Sequence, residues 1–306
     1  MNFMRPVLFY TDHHVFPLPE GHRFPVRKYR MTRELLEKSN AFDLRPAPLA
    51  EPATIERVHD AQYVRDFVSG VLPPSVVRRI GFPWSQQLVQ RTLASVGGTL
   101  AATQIALDQG FGGTLAGGTH HAFRAEGSGY CVFNDIAVAI ESFRTRETCS
   151  RFAVIDLDVH QGDGTAQIFE NDSTVFTFSM HGGNNFPFRK QRSRLDIELA
   201  DGTEDDEYLA RLERALPAVL DSRPNLVFYQ AGVDPLDTDR LGRLQLSMEG
   251  LRRRDEMVLE AVLGAELPLV ITLGGGYSDP IERTAQAHAQ TFKTALQVFT
   301  AMAPGK

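Results

Sequence analysis

Short apolar runs alternate along this chain with longer segments whose apolar residues recur at helical spacing. Residues 6–10 (PVLFY) read as a first strand, and residues 27–39 read as a helix. Residues 88–110 keep helical spacing and stop on Gly110, a glycine stop signal. Residues 131–146 predict another helix, with Asn134 or Asp135 near its start, and residues 204–222 a further one. Four apolar runs read as buried strands: 151–160, 173–181, 226–234 and 268–278. Strands alternating with helices predict an α/β fold, a mostly parallel central sheet covered by helices on both faces. No internal repeat, low-complexity tract or Pro/Ser linker divides the chain, so residues 1–306 read as a single domain.

The strand-like runs share one oddity: each ends in polar or glycine residues. The run 151–160 continues into Asp156, Asp158 and His160, which a continuous strand would present on one face. The run 173–181 ends on Ser179 and His181, and 226–234 ends on Asp234. The last run passes into Gly274, Gly275, Gly276 and Tyr277. In open α/β sheets the site lies outside the carboxyl ends of the strands, so four strands deliver polar groups to one rim. A buried, unpaired charge costs several kcal/mol, roughly, so the acids need partners. One imidazole and two carboxylates form a ligand set for Zn²⁺ or Fe²⁺, and Asp158, His160 and Asp234 would leave a coordination position open, as a catalytic site requires. His120 and His121 follow Gly117 and Gly118; a histidine oriented by a carboxylate serves as a general acid or base near neutral pH, and Asp156 and Asp163 are the unassigned carboxylates. Tyr277, overhanging the rim, can donate a hydrogen bond to a developing oxyanion. The segment 183–194 is polar and irregular and is expected at the mouth of a site.

Composition narrows the field. The net charge of −6 does not suggest nucleic-acid binding, and the run Arg252 to Arg254 reads as a solvated helix face. Two cysteines imply no disulfide framework and fit a reducing compartment. The opening residues lack a signal-like apolar core and no run approaches a membrane span, so the protein is expected to be cytoplasmic, with no membrane contact. No phosphate-loop spacing accompanies Gly274 to Gly276, which argues against nucleotide binding.

The motifs GGTHHAF, GYCVFND, IDLDVHQGDGT, FSMH, QAGVD and LGGGY stand in the order, and at roughly the separations, of the histone deacetylase family. The chain resembles those zinc-dependent deacylases of the arginase/deacetylase superfamily from about Tyr10 to Phe299, with bacterial-type and class IV features such as Gln161 after the metal histidine. The resemblance implies a single deacetylase-like domain with a three-layer fold. It implies Asp158, His160 and Asp234 as zinc ligands, with Fe²⁺ as the other candidate. It pairs His120 with Asp156 and His121 with Asp163, and puts Tyr277 on the scissile carbonyl. Tyr130 and Phe186 would wall the acyl tunnel, and Gly129, Leu241 and Gly275 would contact substrate. Asp156, Ser179 and Met180, with Asp158 and His160, would hold a monovalent cation such as K⁺, largely through backbone oxygens.

The implied activity is removal of an acetyl or longer acyl group from acyl-lysine or a related amine. An acetylated polyamine or another small amide is the alternative substrate. The Gly117–Gly118 pair suggests extra room at the foot of the tunnel, and the segment 78–87 lacks the acidic residue that many protein deacetylases use to hold a peptide backbone. An arginase-like binuclear site is disfavoured, because Gly162 and Leu236 stand where its further acids would be. A non-catalytic scaffold predicts a broken site, and each catalytic position is filled. Elsewhere, His59 is expected to pack on a helix, His22 to line the rim, His181 to support the site, His288 to lie on a helix surface, and Cys131 to be a small buried hydrophobe. His13 and His14 lie in a segment similar to family sequences at the rim.

Overall fold

The structure is a computed structural model that describes residues 5–145 and 149–302; the expected helix end at residue 146 and the first four residues lie outside them. The chain begins with β1 (Val7–Tyr10), α1 (Arg27–Glu37) and β2 (Asp43–Pro46). Three short helices follow, α2 (Pro52–Ile55), α3 (Ala61–Ser69) and α4 (Pro74–Ile80), then the long α5 (Gln86–Gln109) and β3 (Phe111–Thr114). Next come α6 (Asp135–Phe143), β4 (Phe152–Asp156), α7 (Asp163–Ile168), β5 (Val175–Gly182) and β6 (Leu195–Leu199). The chain closes with α8 (Asp205–Asp221), β7 (Leu226–Gln230), α9 (Met248–Gly264), β8 (Leu269–Thr272) and α10 (Ile281–Met302).

The strands form one eight-stranded sheet in the order β2-β1-β3-β8-β7-β4-β5-β6, and every ladder in it is parallel. Parallel strands need crossovers, and helices supply them on both faces. The alternation of strand side chains shows the three layers directly. Ala153 and Ile155 of β4, Val227 and Tyr229 of β7, and Leu269 and Ile271 of β8 enter one core with residues of α1, α8, α9 and α10. Their neighbours Phe152, Val154, Leu226, Phe228 and Val270 enter a second core with α3, α5 and α6. Both faces being buried explains why these runs are continuously apolar in sequence.

Local signals set the helix ends. Gly110 takes a left-handed conformation (φ 89°) and caps α5. Asn134 accepts a hydrogen bond from the Ala137 N–H, so α6 begins at Asp135 and residues 131–134 lie before it. The strands stop earlier than the apolar runs: β4 ends at Asp156, β7 at Gln230 and β8 at Thr272. Asp158 and His160 therefore lie in a loop, not on one face of a strand. The short strands β2 and β3 have no clear sequence signature, since β2 carries Asp, Arg and Pro and β3 two glycines, whereas β6 (LDIEL) alternates apolar and polar residues.

Two expectations about surface residues are reversed. Arg254 is fully buried, because its guanidinium turns inward from α9 and ties it to the strand ends. It donates to the Gly232 carbonyl at 2.6 Å, more weakly to that of Leu157 at 3.4 Å, and to Asp255 Oδ1 through Nε and Nη2 at 2.9 and 2.7 Å. Tyr229 and Thr291 hydroxyls donate to the same Asp255 carboxylate at 2.5 and 2.6 Å. His288 is also buried, since α10 packs that face against the glycine loop after β8, with its Nε2 near Gly276. His59 is buried as well, but in the turn between α2 and α3 rather than on a helix, where its Nε2 accepts from the Asn134 N–H at 2.8 Å.

Arg254 and His59 yield predictions. Replacing Arg254 by Met strands the Asp255 carboxylate, so urea denaturation of R254M is expected to show a loss of about 3–5 kcal/mol; a loss under about 1 kcal/mol would mean the pair is dispensable. Burial drives the His59 imidazole down to about 4, against an ordinary 6.5, with backbone hydrogen bonds near Arg124 only partly opposing. Below pH 6.5 the unfolded chain binds a proton there that the folded chain refuses. Stability is thus full above that pH and falls by up to about 1.4 kcal/mol per pH unit toward pH 4. The denaturation midpoint of H59Q should fall less steeply over that window than that of the parent protein, and parallel slopes would contradict the assignment.

Candidate active site and metal centre

The C-terminal ends of β4, β7 and β8 meet at one pocket of about 590 Å³. At its floor lie Asp158 and His160, two and four residues past β4, with Asp234 four residues past β7 buried behind them. One ligand atom from each lies within 4.8 Å of the other two. His160 Nδ1 is 3.0 Å from Asp158 Oδ1 and 3.1 Å from Asp234 Oδ2. Backbone amides hold the remaining carboxylate oxygens: Gly275 N–H donates to Asp158 Oδ2 at 2.6 Å and Val159 N–H to Asp234 Oδ1 at 2.8 Å. A Cβ at Gly275 would stand 1.9 Å from Asp234 Oδ2, so only glycine lets the amide come that close.

The electrostatics of this triad fit a cation. Neither carboxylate has an ion pair with Lys or Arg among the described residues; their charged neighbours are histidines. Burial opposes a charged imidazole, yet hydrogen bonds and charge from Asp158 and Asp234 hold His160 up at about 10. Burial, then the neighbouring Asp158 charge, pushes Asp234 up to about 7. A site whose protons are retained this strongly is one where positive charge is favoured, and two carboxylates with one imidazole suit a divalent ion such as Zn²⁺ or Fe²⁺.

The tandem histidines sit beside the triad on the loop after β3. His120 Nδ1 lies 2.7 Å from Asp156 Oδ2 and His121 Nδ1 lies 2.6 Å from Asp163 Oδ1. Their environments drive them apart. For His120, burial is outweighed by the charges of Asp156 and Asp158, which hold it at about 9. For His121, burial and the neighbouring His120 lower it to about 4. Such divergence marks acid and base assignments in catalytic sites.

This loop is clamped by residues with no sequence-level assignment. Asp135, fully buried at the start of α6, accepts from Gly118 N–H, Thr119 N–H and the hydroxyls of Thr119 and Thr99 at 2.5–3.0 Å. Gln230, the last residue of β7, donates to the Gly118 carbonyl at 2.7 Å and accepts from Thr272 Oγ1 at 2.5 Å. A Cβ at Gly118 would lie 1.8 Å from Gln230 Oε1 and one at Gly117 2.4 Å from Asp135 Oδ2. A side chain on either glycine would meet these two residues, while Gly117 and Gly118 themselves line the pocket. Asp135 and Gln230 lie inside conspicuous motifs, but nothing in them signals which way the side chains point.

Around the mouth, the pocket is lined by Tyr277, Gly129, Tyr130, Phe186, Leu241 and Gly275. Burial, then the Asp234 and Asp158 charges, keeps the Tyr277 hydroxyl protonated. Asp239 accepts from the Tyr277 N–H at 2.6 Å and from the Leu241 N–H at 2.8 Å, and Lys28 Nζ lies 5.0 Å from the centre of the Tyr277 ring. Neither Asp239 nor Lys28 carries a motif. Tyr130 holds a left-handed backbone (φ 66°), uncommon for a non-glycine residue. Cys131 is buried beside it. Asp156 and Ser179 are register partners across β4 and β5, with Met180 next to them and buried. His181, buried within β5, has its Nδ1 2.9 Å from Ser179 Oγ. His22 does not line the pocket; its Nε2 lies 2.9 Å from the Gly81 carbonyl oxygen. The His13 and His14 rings lie 4.1 Å apart, tilted at 45°, also away from it. Residues 184–186 and 188 of the segment expected at the mouth do line it.

Comparison with known proteins agrees with this arrangement. The histone deacetylase domain model matches residues 22–295. An uncharacterized protein of Picosynechococcus sp. is 45% identical over 300 residues, covering 96% of this chain and 99% of its own. Histone deacetylase 2 of Arabidopsis thaliana is 34% identical over 75% of this chain, which spans 57% of that protein's length. A histone deacetylase-like amidohydrolase of Pseudomonas aeruginosa is 32% identical over 86% of this chain and 74% of its own. With an all-parallel α/β sheet and a domain match across most of its length, the chain belongs to the histone deacetylase family and is a hydrolase acting on amide bonds.

Proposed function

We propose that this protein is a zinc-dependent deacylase that removes an acetyl or longer acyl group from an acylated lysine or related amine. The observation that carries the reading is the convergence of two buried His–Asp pairs and one tyrosine hydroxyl on the Asp158–His160–Asp234 triad. A divalent ion held by that triad would polarise the amide carbonyl and lower the pKa of attacking water. Zn²⁺ is the ion we assign, with Fe²⁺ the other candidate.

The chain's own groups do the rest. His121 is neutral at pH 7, and its Nδ1 is engaged by Asp163, so Nε2 is the atom that takes the proton from water. His120, kept protonated beside Asp156, supplies positive charge next to the reaction and a proton toward the leaving amine. Tyr277 donates its hydroxyl hydrogen to the oxyanion. Gly129, Tyr130 and Phe186 line the stem of the acylated amine, with Leu241 and Gly275 completing the contacts. Asp156, Ser179 and Met180 would hold a monovalent cation such as K⁺ at the end of β4 and β5.

Class IV affinity is part of the same reading. Gln161 donates from Nε2 to the Gln191 carbonyl and to Asp196 at 2.8 and 2.9 Å, and its Oε1 accepts from the Gln191 N–H. It thereby anchors the loop that carries Phe186. We place the protein in the cytoplasm; no helix among the described residues is long and apolar enough to cross a membrane.

Three outcomes are expected. Metal-loaded protein hydrolyses a fluorogenic acetyl-lysine peptide, a hydroxamate blocks it, and chelation abolishes turnover until Zn²⁺ or Fe²⁺ is returned; turnover that survives chelation would refute the metal role. Tyr277→Phe lowers kcat by about 10²–10³ with little change in metal affinity, as loss of an oxyanion donor does, and a parallel loss of both would refute the role. Asp163→Asn lowers kcat while circular dichroism and metal content stay those of the parent; unchanged kcat would remove His121–Asp163 from the mechanism.

A further inference from the structure

The pocket mouth has a charge pattern that amide hydrolysis does not require. Among the residues lining the pocket, only Asp158 on the floor is acidic, whereas Arg23, Lys28, Arg79 and Arg243 are cationic. Lys28 is buried, faces the Gly274 and Gly276 carbonyls at 3.4 and 3.3 Å, and has no carboxylate partner among the described residues. The three arginines are exposed at the rim. Arg79 is paired with Glu126, and Arg243 with Asp201 at 3.1 Å. Arg23 forms no ion pair with a described residue.

The loop that brings Phe186 and Phe188 to the mouth extends the pattern. Residues 183–194 contain Arg189, Lys190, Arg192 and Arg194 and no Asp or Glu. Lys190 folds back on the Asn185 and Pro187 carbonyls at 2.5 and 2.7 Å, while Arg189 and Arg192 stay exposed, without an ion pair to a described residue; Arg194 lies away from the mouth, beside Phe152 and Thr174 at the start of β4 and β5. Phe188, 87% exposed, stands among them. The segment that could have carried an acidic peptide anchor supplies Arg79 instead. This positive rim departs from the chain's net charge of −6.

Resting on the deacylase reading, we propose that the amine half of the substrate is anionic, with carboxylate or comparable negative groups flanking the acylated nitrogen. An acyl-lysine between Asp or Glu residues fits, and so does a small acylated amino acid with a free carboxylate. A cleft lined by one sign of charge raises the local concentration and association rate of the opposite sign, and this effect is screened by salt. A basic histone-like tail, or a polyamine with its remaining ammonium groups, meets like charge at the same rim.

The test compares three acetyl-lysine peptides of equal length, flanked by Asp, Ala or Lys, on metal-loaded full-length protein. A small-molecule arm compares Nα-capped Nε-acetyl-lysine as free acid and as amide. At about 0.02 M salt the Asp-flanked peptide is expected to exceed the Lys-flanked one by 10-fold or more in kcat/KM, narrowing at about 0.5 M as charges are screened. Arg23→Glu combined with Arg189→Glu should collapse that ratio toward one. An advantage for the free acid as well would identify small acylamino acids as members of the class, whereas an advantage confined to the peptides would identify acidic peptides. Equal values across the three flanks, or preference for Lys, would overturn the proposal while turnover of the Ala peptide upheld the deacylase. If no peptide is turned over, the deacylase reading fails, and binding of the same labelled peptides by fluorescence anisotropy still decides the charge proposal: affinity in the order Asp, Ala, Lys supports it and any other order refutes it.

Discussion

Two carboxylates, Asp158 and Asp234, are buried beside one imidazole, and no lysine or arginine among the described residues pairs with them. Everything around the pocket answers to that constraint. Such a pair is stable only if amides, imidazoles and a cation share its negative charge. The ends of parallel strands meet this demand, because there the chain leaves the ladder and its amides become free to donate. Val159 and Gly275 supply two such donors, and Gly275 does so only because it has no Cβ.

The same constraint explains the depth of support below the pocket. Arg254 bonds to Gly232 and, more loosely, to Leu157, the backbone groups that lead into Asp234 and Asp158. Its own charge is balanced by Asp255, so the loops are held without neutralising the carboxylates themselves. On the other side, Asp135 and Gln230 pin the loop that presents His120 and His121. Oriented imidazoles need this, since a catalytic group displaced by an ångström loses much of its effect.

Much of this was legible beforehand where a residue type has few uses. Asp158, His160, Asp234 and the adjacent histidines stand out because ionisable groups rarely follow apolar runs without a task. The stop of α5 at Gly110 is readable from local chemistry, and the start of α6 is readable to within Asn134 or Asp135. Asp158 and His160 lie off the strand face that their alternation suggests, because the pairing partners of β4 run out at Asp156 and no local signal marks that point. Arg254 and His288 are buried for a related reason: charge in a helix suggests solvent, and only the packing of α9 and α10 turns those faces inward. That Gly117 and Gly118 must be glycine follows from Asp135 and Gln230, distant in sequence, standing where a Cβ would go.

The sequence by itself determined the α/β class, the parallel sheet and the set of residues gathered at the strand ends, because these follow from periodicity and from the scarcity of buried ionisable groups. The tertiary structure alone decided the opposite shifts in proton affinity of His120 and His121, the inward turn of Arg254 and the positive rim around an acidic chain. Those properties depend on distances between segments far apart in the chain, and on a burial that no single segment creates.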